Sequence, residues 1–111
     1  MSEPALPDGH ALLTLRHNEA VNAHLRRLSF HCPALAGADD EQADDAVLLV
    51  FARVDAHGQW PDPARAPQRA CTVRARQDDE VVIDVHLHGD GLLAGWAAQA
   101  QPGATVLARP L

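Results

Sequence analysis

Short stretches of alternating apolar and polar residues run along much of the chain and predict β-strands. Ala11–His17 alternates Leu13 and Leu15 with polar residues, which is the two-residue period of a strand with one buried face. Leu25–His31 repeats the pattern and places Phe30 on its inner face. These two segments are the first strand candidates.

A helix competes with the second of these strands. Leu25 and Leu28 also fit helical spacing across Glu19–Leu28, so the pattern alone leaves both structures open. Asn18–His24 is polar and is predicted to connect the two strands. Cys32–Asp45 is predicted to be a solvated loop, because five of its residues between 39 and 45 are acidic.

The middle of the chain predicts a buried strand followed by a long loop. Ala46–Val54 is apolar on both faces, as in a central strand. Asp55–Gln68 contains four Pro or Gly residues, with Trp60 among them, and is predicted to lack regular structure.

The last third predicts a hairpin, a helix and a final strand. The hairpin pairs Gln68–Ala75 with Glu80–Leu87 across the polar turn 76–79. Leu92–Ala100 has a helical composition and stops before Pro102 and Gly103. Thr105–Ala108 is the last strand.

These elements predict an all-β domain. Six short strands with one helix favour a six-stranded antiparallel Greek-key β-barrel with one short helix. Residues 1–10 contain two prolines and a glycine and are expected to be a flexible lead-in, so the barrel domain is expected to span 11–111.

The composition of the chain argues against two classes of function. The net charge is −6, and all nine basic residues are arginine. Such a surface argues against nonspecific nucleic-acid binding and against docking on an anionic membrane. No apolar run has the length of a membrane span, and no signal peptide is evident. We therefore expect a cytoplasmic protein in which Cys32 and Cys71 are reduced thiols, although two cysteines could also form one disulfide.

A string of motifs begins at position 69. It contains Arg69-x-Cys71-Thr72-x-Arg74, then Asp-Val-His-Leu-His-Gly-x-Gly over residues 84–91, then Trp96-Ala and Pro-Gly. In order and spacing it resembles the FAD-binding domain of the siderophore-interacting proteins, a branch of the ferredoxin-reductase-like flavoproteins. The His-Gly-x-Gly-x-x-x-x-Trp portion is the most specific. The resemblance also favours a strand over a helix at Leu25–His31.

The resemblance implies a set of flavin-contacting positions and no catalytic residue. Arg69 would hold the pyrophosphate through its planar fork of donors, and Thr72 would hydrogen-bond the flavin edge. The glycine-bounded loop before the helix would bring backbone N–H groups to the pyrophosphate. The cofactor-binding positions implied are Arg69, Cys71, Thr72, His86, His88, Gly89, Gly91 and Ala94.

Two of these positions depart from the family pattern. Cys71 stands where the family has Tyr, so an aromatic contact worth roughly 1–3 kcal/mol is missing. Ala94 stands where the family has Ser. Read without the resemblance, Arg69 and Thr72 are ordinary strand residues. His86 and His88 share a strand face, but a metal site needs a third ligand and none is evident.

The resemblance implies electron transfer from NAD(P)H through FAD to iron(III) in a siderophore. The family's NAD(P)H domain is absent from the 111 residues, so a donor domain, a reductase partner chain or a longer parent protein is expected. The alternative is a flavin-free, stand-alone barrel that acts as a binding or interaction module. The substitutions at Cys71 and Ala94 motivate that alternative.

Overall fold

Six antiparallel strands close into a barrel in the computed structural model, which describes residues 6–36, 46–87 and 91–110. Around the barrel the order is β1-β2-β5-β4-β3-β6, and β6 returns to β1. The adjacency of β2 to β5 makes this a Greek-key arrangement, so the predicted fold class is confirmed. The elements are β1 (Ala11–Asn22), β2 (Leu25–His31), α1 (Pro33–Ala36), β3 (Ala46–Val50), β4 (Gln68–Gln77), β5 (Glu80–His86), α2 (Leu92–Gln99) and β6 (Thr105–Pro110).

The barrel interior is filled by the apolar residues of the alternating strands. Leu13, Leu28, Phe30 and Ile83 are completely buried, as is Leu49 from the central strand β3. Their backbones pair with neighbours on both sides, because a closed barrel leaves no strand at an edge. Among the described residues, no polar or charged residue is fully buried.

The first hairpin differs from the prediction. The expected connection at Asn18–His24 is wrong, because β1 continues to Asn22 and only residues 23 and 24 turn the chain. The β1–β2 ladder runs from Thr14 opposite His31 to Asn22 opposite Leu25, with two register shifts along β1. This pairing also excludes the helical alternative, since the ladder satisfies the backbone of both strands.

Strand β3 is shorter than predicted and ends at Val50 instead of Val54. The β3–β4 register continues for one more pair, because the Phe51 N–H donates to the carbonyl of Pro67 at 2.9 Å. The ladder stops there, since Pro67 has no N–H to donate in return. The Phe51 ring meets Trp96 edge-on, with 6.0 Å between ring centroids. The following loop contains one short 3₁₀ turn at Pro63–Arg65.

Other boundaries move by a few residues. β4 extends to Gln77, so the second hairpin turns at residues 78 and 79 alone. Asp78 adopts the left-handed backbone region, with φ of 55°, which Asp tolerates better than most residues. β6 continues to Pro110, and α1 lies within the predicted loop 32–45. The acidic residues 39–45 of that loop lie outside the described residues.

Helix α2 packs against the barrel through Trp96. The Trp96 ring stacks on Phe30 with centroids 6.1 Å apart, and Ala97, the next residue of the helix, is completely buried. The far end of α2 is held by Asn18, whose Nδ2 donates to the carbonyls of Ala97 and Ala100 at 2.7 and 3.0 Å. Asn18 therefore caps orphaned helix carbonyls.

Charged side chains tie the second hairpin turn to β1. Arg16 donates to both carboxylate oxygens of Asp79, at 3.1 Å each, and to Glu80 at 3.2 Å. His31 Nδ1 lies 3.0 Å from Asp79 Oδ2. Hydrogen bonding to the Arg16 guanidinium lowers the pKa of Asp79. No helix among the described residues is both long enough and apolar enough to cross a bilayer.

Candidate functional site

A cleft of about 620 Å³ lies between β4, β5 and the start of α2. It brings together six of the eight positions predicted to contact a cofactor. His88 and Gly89 lie outside the described residues. The six that line the cleft are Arg69, Cys71, Thr72, His86, Gly91 and Ala94.

Arg69 stands at one end of this cleft with most of its donors available. It is exposed, and its Nη1 donates to the backbone carbonyl of Gln68 at 2.7 Å. None of the carboxylates in the described part of the chain forms a salt bridge with it. A guanidinium has five N–H donors, so Arg69 can still donate a bidentate pair to an anion.

Cys71 lines the cleft and also packs with the buried core residues of the barrel. Its side chain is only 7% exposed and lies opposite Val47 in the β3–β4 ladder. Burial raises the pKa of the Cys71 thiol to about 11. The thiol therefore stays protonated at neutral pH and is a weak nucleophile there. Thr72, the next residue, points to the opposite face and is exposed.

The first turn of α2 presents backbone N–H groups at the cleft. Gly91 is the N-cap residue and supplies no side-chain cap, so in the described part of the chain the N-cap residue leaves the first N–H groups of α2 for other partners. A Cβ added at Gly91 would meet no atom within 4 Å. The protein's own packing therefore does not require this glycine.

An arginine–aspartate–arginine group lies along the cleft wall. Asp84 accepts a bidentate pair from Arg27, at 2.9 and 3.1 Å, and its Oδ2 also lies 3.5 Å from Arg74 Nη1. Arg74 follows Val73 at a register shift in the β4–β5 ladder. Sequence reasoning placed Arg74 in the motif without a role and missed Arg27, since 57 residues separate Arg27 from Asp84.

His86 is exposed and lies at the end of β5, also beside the cleft. The described residues contain no group of three or more side chains that could hold a metal ion. His88, the second member of the histidine pair considered from the sequence, is not among them.

These residues fit a pyrophosphate-bearing cofactor at one end and fit a flavin ring less well. The Arg69 fork and the free N–H groups of α2 match phosphate oxygens. The Thr72 hydroxyl can donate to or accept from a ring edge. Cys71 supplies no aromatic surface, and Ala94 supplies no hydroxyl.

A larger cleft of about 780 Å³ lies at the other end of α2. Its central polar groups are already paired, because Arg26 Nε donates to Asn18 Oδ1 at 2.6 Å and Asn18 in turn caps the helix. Arg16, on the same rim, is engaged by Asp79 and Glu80. The polar groups of this cleft are therefore engaged in internal contacts, whereas Arg69 in the smaller cleft keeps donors available.

Comparisons with known proteins show the family to which the chain belongs. Residues 14–110 match the family described as the siderophore-interacting FAD-binding domain. The NADPH-dependent ferric-chelate reductase of Escherichia coli K12 is 33% identical over 102 residues, covering 82% of this chain and 40% of that protein.

Two solved structures share the fold. The siderophore-interacting protein SipS from Aeromonas hydrophila superposes with a TM-score of 0.72 and 32% identity, over 91% of this chain and 42% of that one. A siderophore utilization protein from T. fusca gives a TM-score of 0.73 at 23% identity, over 92% and 45%. The chain thus spans less than half the length of each of these relatives.

Proposed function

Because this chain belongs to the siderophore-interacting FAD-binding family, we propose that its β4–β5–α2 cleft binds FAD and that the domain passes electrons from the flavin to siderophore-bound iron(III). The observation that carries the proposal is the meeting of six motif positions at one cleft beside a free helix start. Reduction releases the metal, because iron(II) binds oxygen chelators less tightly than iron(III).

Each residue in the cleft has a defined task in this proposal. Arg69 holds the pyrophosphate from one side, and the first-turn N–H groups of α2 hold it from the other. Thr72 orients the ring edge by a hydrogen bond. FAD supplies the electron-transfer chemistry, and the protein supplies binding, orientation and electrostatics.

The electron donor is proposed to lie outside these 111 residues. The Escherichia coli relative is named as NADPH-dependent, and this chain covers 40% of it. We therefore propose NAD(P)H bound by a further domain or by a reductase partner chain as the source of electrons. We place the reaction in the cytoplasm, where the two buried free thiols would stay reduced.

Titration with FAD, followed by visible absorption and flavin fluorescence, tests the cofactor site. The wild type should take up FAD, Arg69→Ala should abolish uptake, and Cys71→Tyr should tighten it by restoring an aromatic contact. Arg53→Ala is a matched control, since Arg53 is exposed but does not line this cleft. Circular dichroism checks that each variant is folded, because a Tyr at a buried position can overpack the core.

Equal FAD affinity in the wild type and in the Arg69 and Cys71 variants would refute the site assignment. Absence of uptake by the folded wild type would refute the flavin role. It would instead favour the flavin-free binding module.

A further inference from the structure

The cleft is positively charged on an otherwise acidic chain. The charged residues that line or brace its described part are Arg27, Arg69, Arg74 and Asp84, three positive charges against one negative. The whole chain carries a net charge of −6. A local positive site on such a protein attracts anions selectively, because the cleft focuses the field of its own charges.

Arg74 keeps its positive charge available for a ligand. Asp84 is already paired by the bidentate Arg27, so its single negative charge is shared by two guanidinium groups. The Arg74 contact is longer, at 3.5 Å, and its side chain remains 56% exposed. If Arg74 turns towards a ligand, Asp84 still has Arg27, and no unpaired carboxylate is left in the half-buried wall.

Arg74 lies at a different point along β4 from Arg69. The two are five residues apart in one strand, so their Cα atoms are separated by about 16 Å. The register shift between Val73 and Ala75 lies at Arg74. Bulges of this kind re-aim side chains and occur beside active sites. The cleft thus has two separate positions for negative charge, one at each arginine.

We propose that Arg74 contacts the iron chelate and makes the cleft selective for chelates of net negative charge, such as those built from carboxylate oxygens, over neutral ones. This inference rests on the proposed function, in which Arg69 is occupied by the cofactor phosphates. Arg74, tethered by Asp84 on the same wall, then meets the second anionic ligand.

Redox-inert gallium(III) chelates allow the binding step to be measured without electron transfer. Gallium citrate serves as the anionic probe and a neutral gallium trihydroxamate as the uncharged one, each titrated by calorimetry into the FAD-loaded protein. Arg74→Gln should weaken citrate-chelate binding about three- to tenfold, as expected for a partly exposed charge pair facing a multiply charged ligand. Binding of the neutral chelate should not change.

Two controls separate a specific contact from a general change of charge. Arg74→Lys retains the positive charge and should keep most of the anion preference. Arg53→Gln removes one charge outside the cleft and should leave both affinities unchanged. Added salt should weaken citrate-chelate binding more in the wild type than in Arg74→Gln, because screening acts on the charge that the variant lacks.

The outcomes are distinguishable. If the FAD-loaded wild type binds neither chelate, or binds both equally, the inference is overturned and the proposed cofactor role stands. An equal loss of citrate-chelate affinity in Arg74→Gln and Arg53→Gln also overturns it. Failure of the wild type to bind FAD at all removes the proposed function, and this inference with it.

Discussion

Alkaline pH should destabilise this protein through the Cys71 thiol. Burial raises the pKa of that thiol from 9.0 to about 11. In the unfolded chain Cys71 loses its proton near pH 9, whereas in the folded barrel it keeps the proton until about pH 11. The folded state therefore binds more protons between these values, and its stability falls as the pH rises through them.

The size of the effect follows from the width of that interval. A shift of one pKa unit corresponds to about 1.4 kcal/mol, so two units correspond to about 2–3 kcal/mol of lost stability by pH 11. The chain contains no lysine and no tyrosine. The lysine and tyrosine side chains that usually titrate in this pH range are therefore missing, and cysteine ionisation dominates the pH dependence of stability there.

Urea unfolding followed by tryptophan fluorescence at several pH values from 8 to 11.5 measures the loss. Cys71→Ala should flatten the pH dependence, while Cys32→Ala, which retains Cys71, should preserve the loss that Cys71 causes. The reasoning fails if Cys71→Ala loses stability with pH as steeply as the wild type does. Absorbance at 240 nm reports thiolate formation and should show late ionisation only while the protein is folded.

Three further changes test the packing and the charge contacts. Leu49→Ala should destabilise the barrel by about 2–5 kcal/mol in urea unfolding, because Leu49 is completely buried. Asn18→Ala should cost about 1–3 kcal/mol by leaving two carbonyls of α2 uncapped, and Asn18→Asp should not rescue it, since a carboxylate cannot donate to them. Asp79→Asn should reduce the acid sensitivity of unfolding, because Arg16 lowers the pKa of Asp79 and the wild type loses that contribution as the pH falls below 3.8. An acid titration of Asp79→Asn that matches the wild type would contradict this assignment.

Local periodicity was sufficient for the strands whose faces differ in polarity. Leu25–His31 was predicted to its exact ends, because Leu28 and Phe30 alternate with polar neighbours. The predicted β1 ends at His17, because the residues beyond it show no alternation of buried positions. Those residues form a strand because they pair with β2. Residue propensity and hydrophobic pattern describe one segment at a time, whereas strand pairing depends on two segments together.

The site was predictable to the extent that it is contiguous in sequence. Residues 69–74 and 84–91 form a motif whose spacing could be recognised, and all of their described members except Leu87 line one cleft. Arg27 and Asn18 could not be found in this way, because Asp84 lies 57 positions from Arg27 and the helix carbonyl of Ala97 lies 79 positions from Asn18. Their roles follow from the register of the barrel, which depends on bulges that leave no signature in composition.

Closure of the barrel also determines when the protein can finish folding. The seam joins β1 to β6, with Ala11 opposite Ala108 and Thr14 opposite Thr105. Contacts between such distant positions carry a large loop-closure cost and slow the search for the native state. During synthesis one hydrogen-bonding edge of β1 therefore stays unpaired until β6 has left the ribosome. The interval before β6 appears is when this chain is most exposed to intermolecular strand pairing.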